Sequence, residues 1–163
     1  MANFFYNEGK ELLDTGSIEW EQVGGTVDLR VLMLEVVDNG TLTQQKSRAT
    51  IAAVLATAAN ELSSTGYARQ PLENPAKIQD DTDDEIEYTA DDIAFGALTQ
   101  LAAEEAVAAI IYLHVSGDDA DNIPVMYVDS GFPVTPNGEN FFLRWEGSVA
   151  GSDGVVFRLQ DAP

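Results

Sequence analysis

The chain contains no cysteine and a single histidine, His114. The first absence excludes a disulfide framework, a thiolate nucleophile and any Cys-ligated zinc or iron–sulfur site. The second excludes a multi-histidine metal centre or a His-based triad within one chain; at the end of the apolar run 109–115, His114 reads as structural. Lysine is scarce too, with only Lys10, Lys46 and Lys77, and the basic total of 8 stands against 28 acidic residues, a formal net charge of -20. A field of that sign repels phosphate backbones and anionic bilayers, so neither nucleic acid nor a membrane is an expected partner. No apolar run approaches the roughly 20 residues of a membrane span, and the first residues lack the basic and apolar regions of a cleaved signal peptide, which predicts a soluble chain. Glycine-rich phosphate loops of either common spacing are missing, and no period of 20–50 residues repeats.

What is present is material for a core. Apolar residues make up 45% of the 163 and aromatics 9%, enough for one folded domain over 1–163 rather than an acidic disordered chain. The Asp-rich, Lys-poor balance matches adaptation to high salt, where a short Debye length screens self-repulsion.

The apolar pattern predicts a mainly β fold, an antiparallel sandwich or jelly-roll-like domain with one or two peripheral helices. Strands are expected at 27–37, 67–72, 86–90, 91–95, 109–115, 125–129, 139–145 and 154–159, with Pro71 placing the second on an edge. Asp38-Asn-Gly40 reads as a hairpin-type turn. Helices are expected at about 4–13 and, from its alanine content, at 47–62, stopped by Ser63-Ser-Thr-Gly66. Residues 98–105 read as a loop or brief helix, and the helix propensity of 102–109 competes with the strand that follows.

Reactive chemistry is hard to find. Ser63, Ser64 and Thr65 sit at a helix stop, where local backbone bonds explain them. The adjacent carboxylates at Asp80/Asp81, Asp83/Asp84, Asp91/Asp92, Glu104/Glu105 and Asp118/Asp119 are solvated surface in so acidic a chain, and no catalytic residue is assigned. No cofactor is expected. A structural calcium ion is the one cation considered, with Asp80 and Asp84 at i, i+4 around Thr82 as one set and Asp118 and Asp121 as another; the first lacks the glycine and the closing glutamate of a calcium loop. The terminal aromatics Phe4, Phe5 and Tyr6 need somewhere to bury, which makes them candidate anchors at a partner interface.

Several stretches together resemble a family of small virion structural proteins of tailed viruses: Gly9-Lys-Glu-Leu-Leu13, Gly16-Ser-Ile-Glu-Trp20, Glu61-Leu-Ser-Ser-Thr-Gly-Tyr-Ala-Arg-Gln70, Thr89-Ala-Asp-Asp-Ile-Ala-Phe95 and Ile123-Pro-Val-Met-Tyr-Val-Asp129. The resemblance spans almost the whole chain. It implies a short N-terminal helix before a β body and a head decoration or cement protein on an HK97-type capsid. The partner would be the major capsid protein, self-association a homotrimer at local three-fold positions, and the location the virion head surface after synthesis in the host cytoplasm. Arg69 would supply an oriented charge contact. The acidity fits a virus of a halophilic host, such as an archaeon. A tail, head–tail connector or fibre-associated component is the alternative within the virion; a glycan hydrolase and a calcium-dependent carbohydrate-binding sandwich are alternatives from other classes.

Overall fold

The computed structural model describes residues 3–18, 20, 28–80, 85–100, 104–147 and 153–160. Its centre is one antiparallel sheet built on three strands: β2 (Asp28–Val36), β8 (Ala108–His114) and β9 (Ile123–Val128). β2 and β8 pair in unbroken register from Asp28↔His114 to Leu34↔Ala108. Both are apolar at nearly every position because both faces are covered. Leu29, Val31, Met33, Ala109, Ile111 and Leu113 point into one core, whereas Leu32, Leu34, Ala108, Ile110 and Tyr112 point into the other.

The first core lies between this sheet and a second layer. That layer joins β5 (Ala76–Asp80), β6 (Glu85–Asp91) and β11 (Asp153–Gln160) in the order β11-β6-β5, beside a ribbon of β7 (Ile93–Ala97) and β10 (Asn140–Leu143). Aromatic packing fills the gap: Phe157 stacks on Tyr88 at 4.2 Å, Trp20 meets Phe157 edge-on at 5.1 Å, and the Trp20 indole donates to the Thr89 carbonyl at 3.0 Å. The fold is therefore mainly β and sandwich-like, as the apolar pattern predicts, with three helices among the described residues rather than one or two.

Two of those helices cover the opposite face of the central sheet and correct the sequence reading. In place of a helix over 47–62 there are α2 (Leu42–Lys46) and α3 (Ile51–Leu55), followed by β3 (Asn60–Glu61). Hydroxyl groups cut the alanine-rich run. Thr41 and Gln44 form a capping box at the start of α2, and Thr50 accepts from Ala53 N–H to start α3 afresh. Thr57 then bonds the Val54 carbonyl at 2.7 Å and accepts from Ala59 N–H, which ends the helix and releases the chain to β3. The break lets Ile51, Val54 and Ala59 seal the second core.

Asp38-Asn-Gly40 is likewise not a hairpin turn: the Asp38 carboxylate accepts from Gly40 N–H at 2.7 Å and from Arg48 at 2.9 Å, bending the chain into α2. At the N-terminus α1 spans Asn7–Asp14, and Phe4–Phe5 form β1, paired to β9 through Phe4↔Tyr127 and Phe5↔Met126. α1 lies so close to β9 that a Cβ at Gly9 would strike the Val125 and Pro124 backbone. Of the expected strand at 67–72, only Gln70–Pro71 pairs, forming β4 on the edge of β2. β3 and β4 lie end to end along that edge, and between them the Tyr67 hydroxyl accepts the Met33 N–H at 2.9 Å where a strand would have done so. The expected strand at 91–95 divides at Asp92 between β6 and β7. In the 98–109 stretch residues 101–103 lie outside the described set; 104–107 are not helical, and β8 starts at Ala108.

Candidate functional site

Arg69, expected as a charge contact to a partner, is engaged within the chain. Its guanidinium is enclosed by Glu61 (2.8 and 2.6 Å) and Asp119 (2.5 and 2.9 Å) and lies 5.5 Å over the Tyr112 ring. Two bidentate forks use the donors of the planar group. Hydrogen bonds donated to Asp119 and Glu61 raise the Arg69 pKa despite burial, and the bond from Arg69 holds the Asp119 carboxyl below its ordinary value. Tyr67 joins the network by donating to Glu61 at 2.9 Å, and Asn122 donates to Asp119 at 3.2 Å. The cluster ties the β3–β4 edge to the loop after β8.

The terminal aromatics are similarly engaged within the chain. Phe4 is stacked on Tyr127 at 4.7 Å, Tyr6 is 2% exposed, and Phe5 meets Phe157 edge-on at 4.7 Å. Burial pushes the Tyr127 hydroxyl up to about 12, with the charge of Asp129 adding to the effect. These rings, expected as candidate anchors at a partner interface, find burial in this chain's own two cores.

For the cation candidates, Asp80 ends β5, and Asp84 lies outside the described residues. Asp118 and Asp121 build their own turn: Asp118 accepts from Ala120 N–H at 2.9 Å and Asp121 from the Ser116 hydroxyl at 2.8 Å. Among the described residues no three Asp, Glu or His side chains converge as metal ligands. His114 ends β8, edge-on to Tyr112 at 6.2 Å.

A different surface carries the exposed apolar groups. Residues 129–139 form an irregular loop pinned to the body. Val134 and Ala106 exchange two backbone hydrogen bonds of 2.8 Å, Gly138 N–H donates to the Leu98 carbonyl at 2.8 Å, and Leu98 N–H donates to the Glu139 carbonyl at 3.3 Å. Gly138 takes a left-handed φ of +88°, which turns the loop into β10. Loop and strand enclose an open concavity of about 240 Å³ whose lining includes Val134, Thr135, Asn137, Asn140 and Phe142.

β10 explains the exposed ring. Successive side chains of a strand point to opposite faces, so of Phe141 and Phe142 one packs beside Phe95 at 5.9 Å and the other stands outside, 47% exposed. Opposite Phe142 on β7 is Ala94, too small to cover it. Arg144, two residues on, lies 5.9 Å over the Phe142 ring with its side chain 53% exposed. Its ion-pair partner is Asp92 at 3.6 Å, beyond hydrogen-bond range, and among the described residues its guanidinium donates no hydrogen bond. The Asp92 carboxylate is 4% exposed, and neither of its oxygens has a hydrogen-bond partner. Asp92 therefore holds Arg144 beside the ring electrostatically while leaving the guanidinium donors unused.

The sequence reading assigns no binding role to Phe142 or Arg144. The signal available was the adjacent pair Phe141-Phe142 in a short strand, which must show one ring on each face.

These features define a mainly β domain that closes Arg69 into an internal network and presents an exposed aromatic and cationic platform. Compared with known protein families, curated proteins and solved structures, the chain matches none.

Proposed function

We propose that the chain is a capsid decoration protein. In this reading it binds the outer surface of an assembled icosahedral head through the major capsid protein, as a homotrimer, and holds the lattice together. Binding only the assembled form stabilises it by mass action and needs no chemical step. The observation that carries the recognition part of this reading is the pinned loop, which keeps apolar surface ordered and exposed at Val134 and Phe142. Support for the virion part comes from the sequence resemblance. The net charge of -20 would keep free copies apart until they meet their site.

The test is electron cryo-microscopy of the particle that carries the chain, paired with re-addition of purified chain to heads lacking it. Decoration predicts density at symmetry-related positions across the head and saturable rebinding. Density confined to the tail or portal vertex would replace this reading with the tail or connector alternative.

A further inference from the structure

The geometry points to the platform of Phe142 and Arg144 as a binding site for a carboxylated sugar, a uronic or sialic acid residue at the end or within the chain of a glycan. This rests on reading the loop and β10 as a recognition surface, and it is independent of which face meets a capsid.

The argument begins with the ring. An exposed aromatic face flanked by small residues is a flat apolar surface with negative π density, complementary to the polarised C–H face of a pyranose. Ala94 opposes Phe142, so β7 raises no side chain opposite the ring high enough to cover the platform. Beside the ring, Asn137, Asn140, Thr135 and Glu139 border the concavity, and Arg144 adjoins it through the Phe142 ring, over which it lies, rather than lining it. Asn137 uses its carbonyl oxygen for the Glu139 N–H at 3.0 Å, leaving its amide N–H groups for hydroxyls.

Charge supplies the second half. The other ion-paired arginines, Arg30, Arg48, Arg69 and Arg158, each make a carboxylate contact of 3.0 Å or shorter, whereas Arg144 reaches Asp92 only at 3.6 Å. A planar fork with unused donors, fixed over an aromatic ring, is the arrangement that takes a carboxylate bidentately. A concavity of about 240 Å³ fits one small ligand, whereas a stable protein interface buries roughly 1,200–2,000 Å² around an apolar core. The exposed large apolar side chains here are Phe142 and Val134, beside the exposed Pro133, Ala94 and Ala97. The concavity is thus of a size for a single sugar residue, while the loop around Val134 stays available to the larger contact with a capsid.

The test is a calorimetric or NMR titration of the whole chain with trigalacturonate and with 3′-sialyllactose, lactose serving as the uncharged comparison. Salt of about 1 M shortens the Debye length to roughly 3 Å and removes the repulsion due to net charge. The expected result is saturable binding of at least one acidic sugar in the millimolar range or tighter, with lactose at least tenfold weaker. Phe142→Ala and Arg144→Lys, the second retaining the charge but not the fork, should each weaken binding about tenfold or more. Absence of saturation by both acidic sugars up to about 10 mM, or equal binding of lactose, overturns the proposal. Loss of particle association in Phe142→Ala without sugar binding by the parent chain would overturn it too, while identifying the platform as a protein contact and leaving the decoration reading intact.

Discussion

Two arginines held against aromatic rings separate the structural from the exposed chemistry of this molecule. Arg69 lies 5.5 Å over Tyr112, and Arg144 lies 5.9 Å over Phe142. Arg69 has two carboxylates at 2.5–2.9 Å and is 22% exposed; Arg144 has one carboxylate at 3.6 Å and is 53% exposed. The residue type is the same, so the difference lies in the acceptors that tertiary structure brings. Where acceptors complete the fork, an arginine joins elements of the fold; where they do not, its donors remain available to something outside it.

The contrast fails if removing Arg69 is harmless. Arg69→Ala strands two partly buried carboxylates against each other and should cost about 3 kcal/mol in urea unfolding, the lower end of the range for breaking a buried pair. Acid exploits the same network at smaller amplitude. Because Asp119 titrates below its ordinary value when folded, its stabilisation is fully present above the unfolded value near 4 and is lost as pH falls through the folded one. Melting temperature should therefore drop below about pH 4, and Asp119→Asn should shallow that decline while lowering stability at neutral pH.

Asp92 should behave in the opposite sense. Its carboxylate is buried without a hydrogen bond and has Arg144 only at 3.6 Å, so Asp92→Asn removes a poorly compensated charge and should raise stability by about 1 kcal/mol; a loss of that size would show that the ion pair to Arg144 is a structural fastener like that of Arg69. The smallest effect belongs to Phe142→Ala, expected to change unfolding free energy by less than about 0.5 kcal/mol while altering recognition. A larger loss would place the ring among the structural residues.

Legibility in the sequence follows the range of the interactions concerned. β2, β8, β9 and β11 are readable as apolar runs because burial on one or both faces marks every residue locally. The 47–62 stretch misleads, since alanine propensity of a few tenths of a kcal/mol per residue yields to threonine hydroxyls that cap and cut the helix and to the need to place Ile51 and Val54 on the sheet. The fate of Arg69 was hidden: Glu61 is 8 residues away but Asp119 is 50, and nothing in either neighbourhood marks them as its acceptors. Phe142 was half legible. Strand alternation requires one ring of the Phe141-Phe142 pair to point away from the core, but only the pairing with β7 decides which, and only the small residues there leave it bare.

By itself, then, the amino-acid sequence determined the class of fold, the absence of thiol and multi-histidine chemistry, and a strongly negative net charge, because these follow from composition and from periodicities of two and 3.6 residues. Tertiary structure alone decided which of the few cations would be closed and which left open, and that the N-terminal aromatics would be consumed inside the chain. Those outcomes depend on acceptors and apolar surfaces that are distant in sequence and meet only when the two layers and their covering helices have packed.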